Sequence, residues 1–211
     1  MTMRKRAGSV LFTAAAAAAL MGMSVVPALA STHLTVKVSG GGSYTAKAGK
    51  TVLTDNGVSV TCTSSKASGK IANGTHRGTA PVKVGTAAKL SFSSCSGPLG
   101  AVTTVIHSTP YTVSANSKTN RKGQTDAIIA KVNVSVSMTG CSFVVTGSAS
   151  GFYNNKTHTL NMTPKPPVKP LKKAQLTVGN VVGCATLVKN GDHPTYVATY
   201  KISRRTVIKS R

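Results

Sequence analysis

Acidic side chains and histidines are the groups in this chain that could carry out hydrolytic chemistry, and they are few. The 211 residues contain three acidic residues, Asp55, Asp126 and Asp192, together with five histidines. A glycosidase needs two placed carboxyl groups, and a nucleophilic hydrolase needs a base beside its nucleophile. Asp55 and Asp192 lie in turn sequences, where side-chain oxygens commonly bond the backbone. We therefore predict that the protein is not an enzyme and uses no cofactor.

Serine nucleophiles and metal ligands also lack their usual spacing. The segment Gly147-Ser148-Ala149-Ser150-Gly151 resembles a nucleophile elbow but has alanine at the nucleophile position. The cysteines form no C-x-x-C pair, and the histidines are scattered with no H-x-H or H-x-x-x-H spacing. No catalytic residue and no metal site is predicted.

Basic side chains give the chain its most unusual chemistry. It contains 26 lysines and arginines against three acidic residues, a net charge of +23. Without Arg4, Lys5 and Arg6, 23 basic residues remain, of which 18 are lysines, and the net charge is +20. Such a surface attracts polyanions. Because lysine is a hydrated point charge and not a bidentate fork, diffuse attraction is expected in place of base-specific recognition.

The predicted polyanion-binding residues lie in a polar loop, a proline-rich connector and the C-terminal tail. They are Lys118, Arg121, Lys122, Lys165, Lys169, Lys172, Lys173, Arg204 and Arg205. Tyr153, beside Asn154, Asn155 and Lys156, is the first candidate for stacking on a nucleic acid base. The expected partners are wall teichoic acid, other anionic glycans or extracellular DNA. One alternative is a structural or surface-coat protein whose charge serves solubility only, and another is a small-ligand carrier that uses the mouth of a barrel or sandwich.

The N-terminal thirty residues have the pattern of a signal peptide. A basic segment, Arg4-Lys5-Arg6, precedes an apolar, alanine-rich run over residues 10–27, and Ala28-Leu29-Ala30 has the small-x-small form of a cleavage site. An uncleaved anchor helix is the alternative, since the run approaches spanning length. We predict a protein that is exported, remains free outside the cell or associated with the wall, and has no membrane span after cleavage.

Four cysteines, Cys62, Cys95, Cys141 and Cys184, follow the predicted cleavage site. An even number in an exported chain predicts two disulfides, with three possible pairings. We favour Cys62–Cys95 with Cys141–Cys184, because each pair then encloses its own group of strands.

Strand patterns account for most of the remaining chain, and residues 131–147 (KVNVSVSMTGCSFVVTG) show them best. Apolar residues alternate with polar ones up to Met138, and the alternation shifts by one position from Cys141 onward. A hairpin that turns at Thr139-Gly140 places Met138 opposite Cys141, Val136 opposite Phe143 and Val134 opposite Val145, so that all six share one face.

The predicted fold is all-β, an antiparallel sandwich or barrel with two disulfides. Its boundaries are a signal peptide at 1–30, an all-β domain at 31–203 and a basic, frayed tail at 204–211. A weak internal repeat suggests two similar halves, 31–117 and 127–203. Residues 118–126 are predicted to form a polar loop, residues 163–173 an extended connector, and residues 176–188 a strand.

Several phrases occur together in a recognisable order. They are VTCTSSKASGKI (60–71), LSFSSCSGPLG (90–100), TPYTVSA (109–115), GCSFVVTG (140–147), GFYNNKTHTL (151–160), GCATLVKNGD (183–192) and TYVATYKIS (195–203). With these phrases the chain resembles a broad group of secreted actinobacterial all-β proteins with four cysteines and uncharacterised function. The resemblance implies a fold and an extracellular location, and it carries over no catalytic residue.

Overall fold

The computed structural model of the protein describes residues 33–211. The predicted signal peptide at 1–30 lies outside this range. Within it the chain forms strands and turns without a helix. The fourteen strands are β1 (His33–Ser39), β2 (Gly42–Ala48), β3 (Thr51–Asp55), β4 (Val58–Ile71), β5 (Gly74–Thr79), β6 (Val82–Gly97), β7 (Gly100–Ile106), β8 (Tyr111–Ala115), β9 (Gln124–Met138), β10 (Cys141–Asn154), β11 (Thr159–Met162), β12 (Leu176–Val182), β13 (Thr195–Ile202) and β14 (Val207–Ser210).

The predicted central hairpin is confirmed as the pairing of β9 with β10. Met138 is opposite Cys141, Val136 is opposite Phe143 and Val134 is opposite Val145. All six of these side chains are buried. In the Thr139-Gly140 turn only the glycine takes a positive φ, of 69°. The alternation of side chains therefore determines the register, and the glycine supplies the one backbone conformation that the turn requires.

Eleven strands form one antiparallel sheet that closes on itself. The pairing runs from β10 through β11, β13, β2, β4 and β6 to β7 and β8, and both of these pair with β9, which returns to β10. The remaining members, β3 and β12, pair at one end of this ring. The architecture is therefore a closed barrel, one of the two arrangements that the strand pattern left open.

A second sheet of three strands, β14-β1-β5, packs against the barrel. Leu34, Val36 and Val38 of β1 and Ile208 of β14 are buried in the common apolar core. The prediction of a frayed tail is wrong, because Val207–Ser210 forms a strand that pairs with β1. Its partner lies at the opposite end of the sequence, so no local pattern could indicate it.

Two disulfides link strands that are already neighbours. Cys62 and Cys95 are bonded and lie opposite each other on β4 and β6. Cys141, at the start of β10, is bonded to Cys184, just beyond the end of β12. The favoured pairing is confirmed, and two such bridges are typical of proteins that mature in an oxidising compartment.

Two of the predicted boundaries are wrong. The polar loop predicted to reach Asp126 ends earlier, because β9 begins at Gln124 and Asp126 is a buried strand residue. The strand predicted over 176–188 ends at Val182. The proposed division into two similar halves stays a prediction.

Candidate functional site

Three lysines from three adjacent strands form a continuous row on the outer wall of the barrel. Lys201 of β13 is opposite Lys47 of β2, and Lys47 is opposite Lys66 of β4. All three are exposed. Neighbouring strands lie about 4.8 Å apart, so the three lysines are attached close together, along a line perpendicular to the strands. We call these residues the lysine row.

The alternation of each strand holds the row at the surface. In β2, Tyr44, Ala46 and Ala48 point into the barrel and are buried, whereas Thr45 and Lys47 are exposed. Strand β13 follows the same rule, with Ala198 and Tyr200 buried and Lys201 exposed. Because each core side chain keeps its strand from slipping, the lysines stay in register.

No carboxyl group continues the row on either side. Its next register partners are Thr159 on β11 and Ser91 on β6. Like charges directly opposite each other on neighbouring strands destabilise a sheet. The row therefore costs the fold stability, and an anion laid along it would remove that cost.

A shallow groove of about 470 Å³ lies across β2, β4 and β6 beside the row. Its lining residues are Ser43, Tyr44, Thr45, Ser68, Gly69, Lys70, Thr86, Ala88, Lys89 and Ser203. Two more lysines, Lys70 and Lys89, thus lie on this face among hydroxyl groups. We call the lysine row and the groove together the lysine face.

Gly69 allows the two strands beneath the groove to approach closely. A register shift separates Ser68 from Gly69 where β4 pairs with β6. A Cβ atom at Gly69 would overlap the carbonyl oxygen of Thr86, which no side chain could tolerate. A residue without a side chain is therefore required at this bulge.

Of the predicted polyanion-binding residues, Arg204 lies beside the lysine face. It follows Ser203, which lines the groove, and its Nε donates to the carbonyl oxygen of Gly40 at 3.3 Å. A Cβ atom at Gly42 would lie 3.2 Å from the guanidinium carbon of Arg204. The absence of a side chain at Gly42 therefore leaves room for the arginine. Arg205 is exposed as well.

The other predicted residues lie in the polar loop and the connector, and hydrogen bonds at Asn116 join these two segments into a second basic region. The main-chain nitrogen of Leu171 donates to the Asn116 carbonyl oxygen at 3.1 Å, and the Asn116 Nδ2 donates to the Lys172 carbonyl oxygen at 2.8 Å. These bonds hold the connector against the segment that leads to Lys118. All seven basic residues of this region are exposed: Lys118, Arg121, Lys122, Lys165, Lys169, Lys172 and Lys173.

The tyrosine predicted to stack on bases does not reach the surface. Tyr153 is buried, and its hydroxyl donates to the Thr206 carbonyl oxygen at 2.7 Å. Burial raises its pKa to about 12. The prediction of a stacking role for Tyr153 is therefore wrong, and the lysine face consists of charged and hydroxyl groups.

Two of the three acidic residues come together at the end of the barrel that carries β3. Burial, followed by the neighbouring Asp192 carboxyl, raises the pKa of Asp55 to about 6. Asp192 Oδ2 accepts a hydrogen bond from the Lys189 main-chain nitrogen at 2.7 Å and so closes its own turn, as predicted for a turn residue. Two carboxyls this close share a proton more easily than separated ones. The sequence did not indicate this pair.

Asp126 lies on β9 beneath the connector. It is 1% exposed, and neither carboxyl oxygen forms a hydrogen bond. Burial raises its pKa to about 6, and the nearby Val168 main-chain amide, although outside hydrogen-bonding geometry, offsets part of the rise. A carboxyl without partners in such a place is stabilised by protonation.

Comparison with protein-family models, curated proteins and solved structures finds no match for the chain. The described residues contain no group of three or more His, Cys, Asp or Glu that could hold a metal ion. Across the same range, 33–211, no helix is long and apolar enough to span a membrane.

Proposed function

We propose that this is an exported, non-enzymatic protein that binds anionic polymers through the lysine face. The observation that carries the proposal is the direct register of Lys201, Lys47 and Lys66 across three strands. A surface meant only for solubility would spread its charges, because opposing lysines repel each other. A polymer that carries one negative charge per repeat would neutralise several of these lysines at once.

Binding of this kind is driven by the release of counterions from the polymer, and it weakens steeply with salt. Lysine on a rigid sheet offers point charges and few directional contacts, so charge density is expected to matter more than sequence or sugar identity. The serine and threonine hydroxyls between the lysines can bond phosphate or sulfate oxygens. Wall teichoic acid, anionic glycans and extracellular DNA are the polymers of this type that an exported protein would meet.

The proposal is tested by fluorescence anisotropy with three labelled probes: a DNA duplex, heparin and a glycerol-phosphate oligomer. At about 50 mM salt we expect binding to all three, with log K falling linearly against log salt. The variant Lys47→Thr/Lys66→Thr/Lys201→Thr should reduce the magnitude of that slope on DNA by about 2–3 and lower the affinity accordingly.

The matched control is Lys37→Thr/Lys209→Thr/Lys156→Thr. It removes the same charge from exposed positions outside the lysine face, and Lys37 and Lys209 are themselves register partners on β1 and β14. We expect it to bind almost as the wild type does. Equal losses in both triple variants would show that net charge alone acts, and no binding at about 50 mM salt would end the proposal.

The basic region around Asn116 is the competing location for the same function. The variant Lys118→Ser/Arg121→Ser/Lys122→Ser removes three charges from it. If this variant loses the salt slope and the lysine-row variant retains it, the polymer binds at the loop and connector and the lysine face has no part in binding.

A structural or surface-coat role is the alternative, with contacts between copies at sheet edges. The outer edge of β12 is the natural place for it, but this edge is occupied by the chain's own turn. The Val178 main-chain nitrogen donates to the Asp192 carbonyl oxygen at 2.9 Å, and the Gly191 main-chain nitrogen donates to the Val178 carbonyl oxygen at 2.9 Å. Self-association that persists at high salt in sedimentation velocity would favour the alternative.

A further inference from the structure

The interior of the barrel is incompletely filled. A cavity of about 180 Å³ lies inside the ring of strands. Small side chains occupy inward-facing positions where a packed barrel would carry larger ones, and six alanines line the space: Ala46, Ala67, Ala87, Ala115, Ala127 and Ala149. Protein interiors otherwise contain few voids larger than a water molecule, so a cavity of this size is a candidate ligand-binding site.

The tyrosine hydroxyls around the cavity already have hydrogen-bond partners. Ser65 Oγ donates to the Ser91 carbonyl oxygen at 3.0 Å, so it accepts from the Tyr200 hydroxyl at 2.8 Å. The Tyr200 hydroxyl then accepts from the Tyr196 hydroxyl, also at 2.8 Å. This chain leaves no donor of Tyr200 or Ser65 free, and the wall presents mainly carbon to its contents.

The other lining tyrosines are occupied in the same way. The hydroxyl of Tyr153 donates to the Thr206 carbonyl oxygen, that of Tyr111 to Asn133 and that of Tyr44 to Thr86. Asp126 borders the cavity as well. The alternation of β9 places its side chain on the other face of the strand from Ala127, toward the connector. The lining therefore suits an apolar molecule and offers little to water.

A gap in the strand pairing of the wall lies beside the cavity. The register of β6 with β8 ends at Ala87, and its register with β7 begins at Cys95. On that side, residues 88–94 of β6 have no strand partner within the described chain. Leu90 and Phe92, from this unpaired stretch, line the cavity and are half-buried, as is Val132 on the facing strand β9.

We propose that the barrel binds a small, uncharged apolar molecule of about the size of benzene or toluene, which enters between β6 and the β7–β9 side. An apolar protein cavity of about 150 Å³ is known to stay dry and to bind benzene or xenon, and the cavity here is slightly larger. This binding is separate from polymer binding, because the lysine face lies on the outside of the same wall.

Calorimetric unfolding of the protein with benzene, toluene or indole at increasing concentration tests the proposal. A ligand that binds only the folded state should raise the unfolding midpoint by about 3–5 °C at ten times its Kd. The variant Ala67→Leu fills the cavity from β4 and should abolish the rise. Ala101→Leu makes the same change at an exposed position of β7 outside the cavity, and it should keep the rise.

A second variant keeps the test decisive if Ala67→Leu folds poorly. Leu90→Ala enlarges the cavity at its entrance, and it should increase the effect of indole relative to that of benzene. A saturable rise that is lost with Ala67→Leu, or shifted toward indole with Leu90→Ala, supports the proposal. No saturable rise with any of the three probes, or a rise unchanged in both cavity variants, overturns it, whatever the outcome of the polymer experiments.

Discussion

Lys47 on β2 lies directly opposite Lys66 on β4, with no acidic side chain in register on either side of the pair. The pair lowers the stability of the folded sheet and favours binding, because an anionic polymer would relieve the repulsion between the two lysines. We expect Lys66→Thr to stabilise the fold by about 0.2–1 kcal/mol while weakening binding to heparin. Urea unfolding at low salt and anisotropy measure the two effects.

Salt provides the control for that substitution. Screening shortens the range of the repulsion, so the stabilisation by Lys66→Thr should shrink as salt rises toward 1 M. A loss of stability in Lys66→Thr at low salt would contradict this account of the pair.

Gly69 predicts a steric failure at the bulge beneath the groove. Gly69→Ala should destabilise the protein by about 1–3 kcal/mol, since the new Cβ would collide with the Thr86 carbonyl oxygen. Gly49→Ala is the matched control, because a Cβ at Gly49 meets nothing within 4 Å. Urea midpoints for the two variants should differ clearly, and equal midpoints would refute the steric argument.

Asp126 predicts an unusual dependence of stability on pH. Its pKa is raised to about 6 in the folded protein, against about 3.9 in an unfolded chain, so between these values the folded state binds more protons. Stability should therefore fall as pH rises from about 4 to 6, and remain lower above pH 6. Asp126→Asn should remove about 3 kcal/mol of this fall, measured by urea unfolding across that range.

Asp55 has a raised pKa of the same size, so Asp55→Asn is the companion variant. Part of the fall in stability should remain in each single variant, and less of it in the double variant. A pH profile that Asp126→Asn leaves unaltered would show that the buried carboxyl is paired in solution.

All five tyrosines of the chain have raised pKa values in the folded protein. Burial is the first cause in each case, and the values for Tyr44 and Tyr153 reach about 12. Tyrosinate absorbance at 295 nm should therefore be lower at pH 10.5 in the folded protein than in denaturant. The same solution in denaturant should titrate near the ordinary value of about 10. Early titration of two or more tyrosines would contradict the closed, buried interior.

The disulfide between Cys141 and Cys184 predicts a large loss on removal. The bonded residues are 43 positions apart, which corresponds to about 4 kcal/mol by chain entropy. Cys141→Ser/Cys184→Ser should lower the free energy of unfolding by about 2–4 kcal/mol. Retention of wild-type stability would show that β12 is held by its hydrogen bonds alone.

Local patterns in the sequence predicted the parts of the fold whose partners are close together in the chain. The β9–β10 register followed from seventeen consecutive residues, and the cysteine pairing from the grouping of strands. The lysine row could not be predicted, because Lys47 and Lys201 become neighbours only when β13 closes the ring. The polar sequence before Asp126 predicts a loop, whereas the connector, distant in sequence, is what buries this residue.

The order of the strands around the barrel also determines when the barrel can close during synthesis. Strand β13 joins β2 to β11, so an emerging chain remains an open sheet with two unpaired edges until β13 has been synthesised. Long-range pairing of this kind is slow, and unpaired borders invite adhesion between chains. The excess of positive charge along the chain would keep such incomplete chains apart until β13 has formed its pairs.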